Sequence, residues 1–298
     1  MNQPTHTARE TPVRVAVFAH NEQRSIANAL DQLLREGEAI KDYTIHVLVN
    51  GSTDQTLGIA QGYAAQHPGR VKPHRFGRGD KAATWNRYLY DVSVDAPATS
   101  VHVFTDADVW PEPGSVARMA DALDKDARIA AVGGLPMSGR NRAYYHRLAK
   151  EKHLIYGNLY ATRDGWLRWA REIGFRLPAG LVFEDAVLTN AFTTLPEDLR
   201  RSRLTRVAHL EGCGYRFTPI RPWRHSEALL YARRLVRYRL ADYQLKRLGW
   251  RWPDELPETM DTINSQVLEE IKSRGVKVRP IDFFLARRLK AQYTSRAA

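Results

Sequence analysis

The chain has 298 residues, 43% hydrophobic and 26% charged, which suits a soluble globular protein with a substantial core. No run of about 18 apolar residues occurs, arguing against a membrane span, and the polar opening MNQPTHTARETP lacks the apolar centre of a secretory signal. The net charge of +12 is lopsided: residues 1–139 hold 14 Lys and Arg against 16 Asp and Glu, and residues 140–298 hold 31 against 17.

A basic half of this kind points to an anionic counterpart: nucleic acid, a phospholipid surface or an acidic substrate. The single cysteine, Cys213, excludes an intramolecular disulfide and a cysteine-based metal cluster. Set between glycines, it reads as a small buried filler. These features fit a cytoplasmic address, with peripheral contact at the inner face of the membrane left open.

In chain order, residues 1–12 read as a disordered lead-in. VRVAVF (13–18) is an apolar, β-branched strand, and the following segment places Ile26, Leu30, Leu33 and Leu34 on one helical face. TIHVLV (44–49) is a second strand, and NGSTD turns into a second helix. VKPHRF is a weaker third strand, then come GRGD and the helix KAATWNRYLYDV. VHVFT delivers an aspartate pair, Asp106 and Asp108.

Alternating strands and helices with short turns predict a doubly wound α/β sheet, with ligands at the carboxyl ends of the strands. The polar clusters AHNE, NGSTD and TDAD all fall at such ends. Beyond Val109 the alternation weakens. A helix over PEPGSVARMADALDKD and a strand IAAVGG precede a long aromatic, basic stretch. LPAGLVFEDAVLTNAF then brings a second acidic pair, Glu184 and Asp185. A helix with Arg233, Arg234, Arg237 and Arg239 is predicted over 221–247.

Aspartates two apart at a strand end can point to one side and suit a hard cation, Mg²⁺ or Mn²⁺, completed by substrate phosphates. Neither a P-loop nor a G-x-G-x-x-G fingerprint is present. If a nucleotide binds, the metal rather than a glycine cradle would hold its phosphates. Asn50 offers a donor and an acceptor to a base edge. Asp54 suits a base N–H and the cap of its own helix equally.

Taken together, VFAHNEQRSI, VLVNGSTDQT, GRGDKAATWNRYL, VFTDADVWPEP and VFEDAVLT, in this order, resemble the family 2 glycosyltransferases of the GT-A fold over roughly residues 13–245. The resemblance implies one mixed, mainly parallel, doubly wound sheet flanked by helices, with a C-terminal helical extension. The expected division is a catalytic domain over 13–220 (nucleotide-sugar half 13–110, acceptor half 111–220) and a basic extension over 221–298.

The resemblance also implies a UDP- or GDP-linked sugar donor bridged by Mn²⁺ or Mg²⁺. Ala19, His20, Asn21 and Glu22 match the first-strand turn, Asn50 and Asp54 the second, and Lys81 the helix after GRGD. Asp108 would be the main metal ligand. Asp106, followed by Ala107, would contact the ribose or the metal through water. Asp185 would be the base that deprotonates an acceptor hydroxyl. Arg234-Leu235-Val236-Arg237-Tyr238 matches only loosely the Q-x-x-R-W of processive members, so one sugar per encounter is expected. Arg234 and Arg237 would hold the donor diphosphate, and His225 would be a third metal ligand or a structural histidine.

Two other readings compete. In a retaining enzyme of the same fold Asp185 would not act as a base. A basic nucleic-acid-binding protein would explain the charge but leaves Asp106, Asp108 and Asp185 without a role, and no recognition module is present. The expected acceptor is anionic or lipid-linked, met by arginines interleaved with Tyr144, Tyr145, Trp223 and Tyr231.

Overall fold

The computed structural model describes residues 9–193, 206–249, 255–275 and 279–297. Of the expected lead-in, residues 1–8 lie outside that range. Arg9 already joins the fold: its N–H donates to the Ala39 carbonyl at 2.9 Å, and its carbonyl accepts from the Lys41 N–H at 3.0 Å. The chain forms two compact units. The first runs to Phe175 and takes in Asp185–Thr218; the second holds Arg176–Glu184 and the chain from Pro219 onward.

In the first unit β1 (Val13–Ala19), α1 (Ile26–Glu36), β2 (Tyr43–Asn50), α2 (Thr56–Gln66), β3 (Val71–Phe76), α3 (Lys81–Arg87) and β4 (Val101–Asp106) alternate. The expected helix over KAATWNRYLYDV is α3 followed by one π-helical turn, Tyr88–Val92. A short β5 (Val109–Pro111) and α4 (Ser115–Lys125) follow. Then come β6 (Ala131–Gly133), β7 (Leu135–Pro136) and α5 (Arg142–Lys152). The unit closes with β8 (Leu159–Arg163), α6 (Asp164–Glu172), α7 (Glu184–Thr193, whose first residue belongs to the second unit), β9 (Val207–Ala208) and β10 (Gly214–Phe217).

The main sheet has the order β3-β2-β1-β4-β8-β6-β9, and β5-β10-β7 make a small second sheet. β1 lies parallel to both β2 and β4, while β8 runs antiparallel to β4 and β6. The sheet is therefore mixed and mainly parallel, flanked by helices. β2 is buried along its whole length, as a central parallel strand covered on both faces must be.

The register matters for the site. Phe18 is level with Asp106, Ala19 with Val49 and Asn50 with Phe76, so the polar clusters emerge along one edge. The connection leaves β1 on one side towards β2 and returns to β4 on the other. That reversal creates the crevice where doubly wound sheets take ligands.

The second unit contains α8 (His225–Leu248), α9 (Asp261–Ser273) and α10 (Pro280–Ala297). Its core is Leu240, Tyr243, Val267, Leu268, Ile271, Leu285 and Leu289. The buried Gln244 amide donates to the Gly180 carbonyl at 3.0 Å and to Asn264 Oδ1 at 2.9 Å, and accepts from the Val182 N–H at 3.0 Å.

Candidate active site

Three loops meet at the carboxyl edge of β1, β2 and β3. Asn21 holds a left-handed φ of +57°, a conformation that asparagine tolerates. Its side-chain oxygen accepts from the Thr53 N–H at 2.8 Å, and its own N–H donates to Ser52 Oγ at 3.0 Å. His20 Nδ1 stands 2.6 Å from the Asn50 carbonyl, so Nδ1 must carry the hydrogen. Gly51, at φ +62°, sits so close to the GRGD loop that a Cβ there would lie 2.3 Å from Gly79 N. Only glycine permits that approach.

Both oxygens of Asp54 serve the loop. Oδ1 accepts from the Thr56 N–H and hydroxyl, and Oδ2 from the Gln23 N–H at 3.1 Å. Gln55, not Asp54, holds the N-cap position of α2, so these bonds brace the turn that leads into the helix. Asn50 is 4% exposed, and its Oδ1 is buried without a hydrogen-bond partner. It is an unused acceptor at the end of β2. Ala19 and Ala107 are buried, and the Ala107 N–H is committed to the Phe18 carbonyl at 2.9 Å.

Asp106 ends β4, and Asp108 stands exposed in the two-residue turn into β5. Lys81, at the start of α3, places Nζ 2.5 Å from Asp106 Oδ1 and donates to the Gly157 carbonyl at 3.1 Å. Burial pushes the Glu22 carboxyl up to about 7, and Asp108, Asp106 and Asp54 add to the rise against the opposing Ser25 hydroxyl bond. Like charges crowd this edge, and the Lys81 ammonium is their close counter-charge.

Sequence reasoning missed the loop that joins these groups. The Asn158 carbonyl accepts from the Thr105 hydroxyl at 2.9 Å, and its amide reaches Asp106 Oδ2 at 3.5 Å. Tyr215 donates to Asn158 Oδ1 at 3.3 Å. The preceding Gly157 N–H donates to Asp185 Oδ2 at 3.1 Å, and Asp185 Oδ1 accepts from the Ala186 N–H at 3.0 Å. Two adjacent residues thus tie the β4 aspartate, the α3 lysine and the α7 aspartate together.

Tyr156 is pushed up to about 12 by burial, with Tyr145, Asp185 and Tyr144 adding to the rise. Its ring lies 5.9 Å from that of Tyr145, which is 5.4 Å from Tyr144. An aromatic lane on α5 therefore leads to the neighbourhood of Asp185.

Among the described residues no three His, Cys, Asp or Glu side chains group as a preformed metal site. The end of β4 and the turn after it offer two carboxylates, Asp106 and Asp108, and the close Lys81 ammonium shows that Asp106 accepts a cation. Hard oxygen donors of this number suit a Mg²⁺- or Mn²⁺-type ion that takes its remaining ligands from phosphates and water. His225, Arg234 and Arg237 lie on α8 in the second unit. His225 and Arg237 are exposed there, and Arg234 Nε donates to the Tyr238 hydroxyl at 2.8 Å.

The family model described as glycosyl transferase family 2 matches residues 14–191. The chain belongs to that family. It is a glycosyltransferase, and the matched span carries β1, β2, β4, Lys81, both β4 aspartates and Asp185. A mannosyltransferase from Pyrobaculum calidifontis, solved with GDP-Man and Mn²⁺, is similar over 96% of this chain and 81% of its own, at 20% identity and a TM-score of 0.56. Glucosyl-3-phosphoglycerate synthase from Mycobacterium tuberculosis, solved with Mn²⁺, UDP-Glc and phosphoglyceric acid, covers 83% of this chain and 88% of its own, at 20% identity and a TM-score of 0.49. No curated protein matches the sequence. At such identity the first of these likenesses speaks to the fold alone.

Proposed function

We propose that this glycosyltransferase moves one sugar from a nucleoside-diphosphate sugar to an acceptor hydroxyl, with inversion at the anomeric carbon. The observation that carries the reading is the Gly157–Asn158 loop, to which Asp185, Asp106 and Lys81 all hydrogen-bond. Asp106 and Asp108 would hold a divalent ion, which when bound neutralises charge on the leaving diphosphate. The unpaired Asn50 Oδ1 would accept from an N–H of the base, uracil or guanine, behind His20, Asn21 and Glu22.

Asp185 acts on the acceptor. Its two oxygens are oriented by the Gly157 and Ala186 N–H groups, and a carboxylate has acceptor capacity beyond those bonds. As the acceptor oxygen bonds to the anomeric carbon, its proton passes to Asp185. The bond from that carbon to the diphosphate breaks, its electron pair leaving with the phosphate oxygen. Lys81 sits where it can balance that charge. A base so placed contributes about 10²–10⁴-fold to the rate. The acceptor would approach past Tyr144 and Tyr145, whose neighbouring arginines suit an anionic or lipid-linked molecule.

Thermal denaturation with GDP or UDP and Mn²⁺ tests the donor site. The parent should be stabilised by the matching nucleotide only with metal, by about 2.7 kcal/mol at a hundredfold excess over Kd. Asp108→Ala should abolish that gain. Equal stabilisation of parent and variant, insensitive to EDTA, would remove the metal from the reading.

A further inference from the structure

Most of the first half of α8 is exposed. Its C-terminal half packs through Leu240, Tyr243 and Leu248, whereas Leu229 is 62% exposed, Leu230 53% and Leu235 40%, and Trp223 just before the helix is 69% exposed. Exposed apolar surface of this density marks an interaction site.

The exposed half is also sorted by charge. At 3.6 residues per turn, Tyr231, Leu235 and Leu229 fall within one half of the circumference over 225–238, where Val236 packs on the second unit's core and the Tyr238 ring lies 5.4 Å from that of Phe183. Arg233, Arg234 and Arg237 occupy the other, with Leu230 among them. Arg221 and Arg224 precede the helix, and Glu227 is the single acid between 221 and 238. Leucines and aromatics opposite arginines over a stretch about 20 Å long match a helix lying in the interfacial plane of a bilayer.

The occupant follows from the charges. A second copy would set five arginines against five, and like charges in contact oppose association. Single-stranded nucleic acid would satisfy the arginines but leave Leu229 and Leu235 in water. An anionic bilayer satisfies both, since phospholipid headgroups attract the arginines while the boundary region accepts leucine and tryptophan. We infer that residues 221–238 form a membrane-docking helix selective for anionic phospholipid surfaces. The inference does not depend on the sugar-transfer reading.

Co-sedimentation of the full chain with vesicles tests it. The chain should pellet with phosphatidylcholine–phosphatidylglycerol vesicles and stay in solution with phosphatidylcholine alone, and raised salt should weaken binding. Each basic residue near such a surface contributes about fivefold in partitioning, so Arg221→Gln/Arg224→Gln/Arg233→Gln should lose about a hundredfold. Leu229→Ser/Leu230→Ser/Leu235→Ser should also release the protein, and so should the single Trp223→Ser more weakly. All three variants should melt as the parent does, because these side chains are exposed. Failure of the parent to bind anionic vesicles, parent-like binding by both triple variants, or a dimer that the leucine variant dissociates would each overturn the proposal. So would displacement from vesicles by single-stranded RNA.

Discussion

At Lys81 one ammonium group satisfies two acceptors, the Asp106 carboxylate and the Gly157 carbonyl. Removing it takes a close positive charge away from a partly buried carboxylate that stands near Asp108 and Glu22. A charged hydrogen bond of this kind is worth about 1.5–3 kcal/mol. Lys81→Met should therefore lower the melting temperature without metal and enlarge the stabilisation produced by Mn²⁺ alone. A smaller Mn²⁺ response in the variant than in the parent would show that Lys81 does not act as the counter-charge. Asp106 and Asp108 were legible in the sequence as carboxylates closing an apolar strand, and Lys81 and the expected role of Asp185 through the family resemblance. Gly157 and Asn158 were not. Their work is done mainly through main-chain N–H and C=O groups, which every sequence carries and no residue type betrays.

At the level of elements, β2 and β3 share a histidine pair, and the π-helical turn, β4 and α6 share a buried polar triad. His46 Nδ1 lies 3.0 Å from His74 Nε2, Tyr88 bonds His102 Nδ1 at 2.7 Å, and His102 Nε2 meets Asp164 at 3.2 Å. Burial lowers His46 to about 3, with His74, Lys72, Arg14 and His102 adding to the fall. It lowers His102 too, against the pull of Asp164. The folded protein holds His46 neutral while the unfolded chain takes up a proton below about 6.5. The stabilisation is thus complete above that pH and is lost as pH falls from 6.5 towards 3, by about 1.4 kcal/mol per pH unit for His46 alone. His46→Gln should flatten the acid slope of urea-unfolding free energy by roughly that amount, and an unaltered slope would contradict the assignment. β2 and β4 were readable from their apolar, β-branched runs, and β3 more weakly. Antiparallel β8 was not, because a five-residue strand inside a long aromatic, basic stretch gives no period of its own.

For the whole molecule, the α/β alternation of the first half was enough to anticipate a doubly wound sheet, while its mixed character followed only from the family resemblance. The charge asymmetry was equally plain, but not its distribution. Among the described residues the basic side chains of the second half fall on α5 and α6 of the first unit and on the C-terminal helices of the second, with others on strands and loops between. Among the described residues no helix is long and apolar enough to cross a membrane. The central claim is that one edge of the sheet separates donor binding from acceptor activation, the first resting on Asp106 and Asp108 and the second on Asp185. Asp185→Asn tests it most directly, with donor affinity by titration calorimetry, turnover by initial rates and product configuration by NMR. The loss should fall in the rate constant rather than in binding: donor affinity unchanged, turnover reduced about 10²–10⁴-fold, and the parent's product inverted relative to the donor. A retained product, or a variant that turns over at the parent rate, would contradict it.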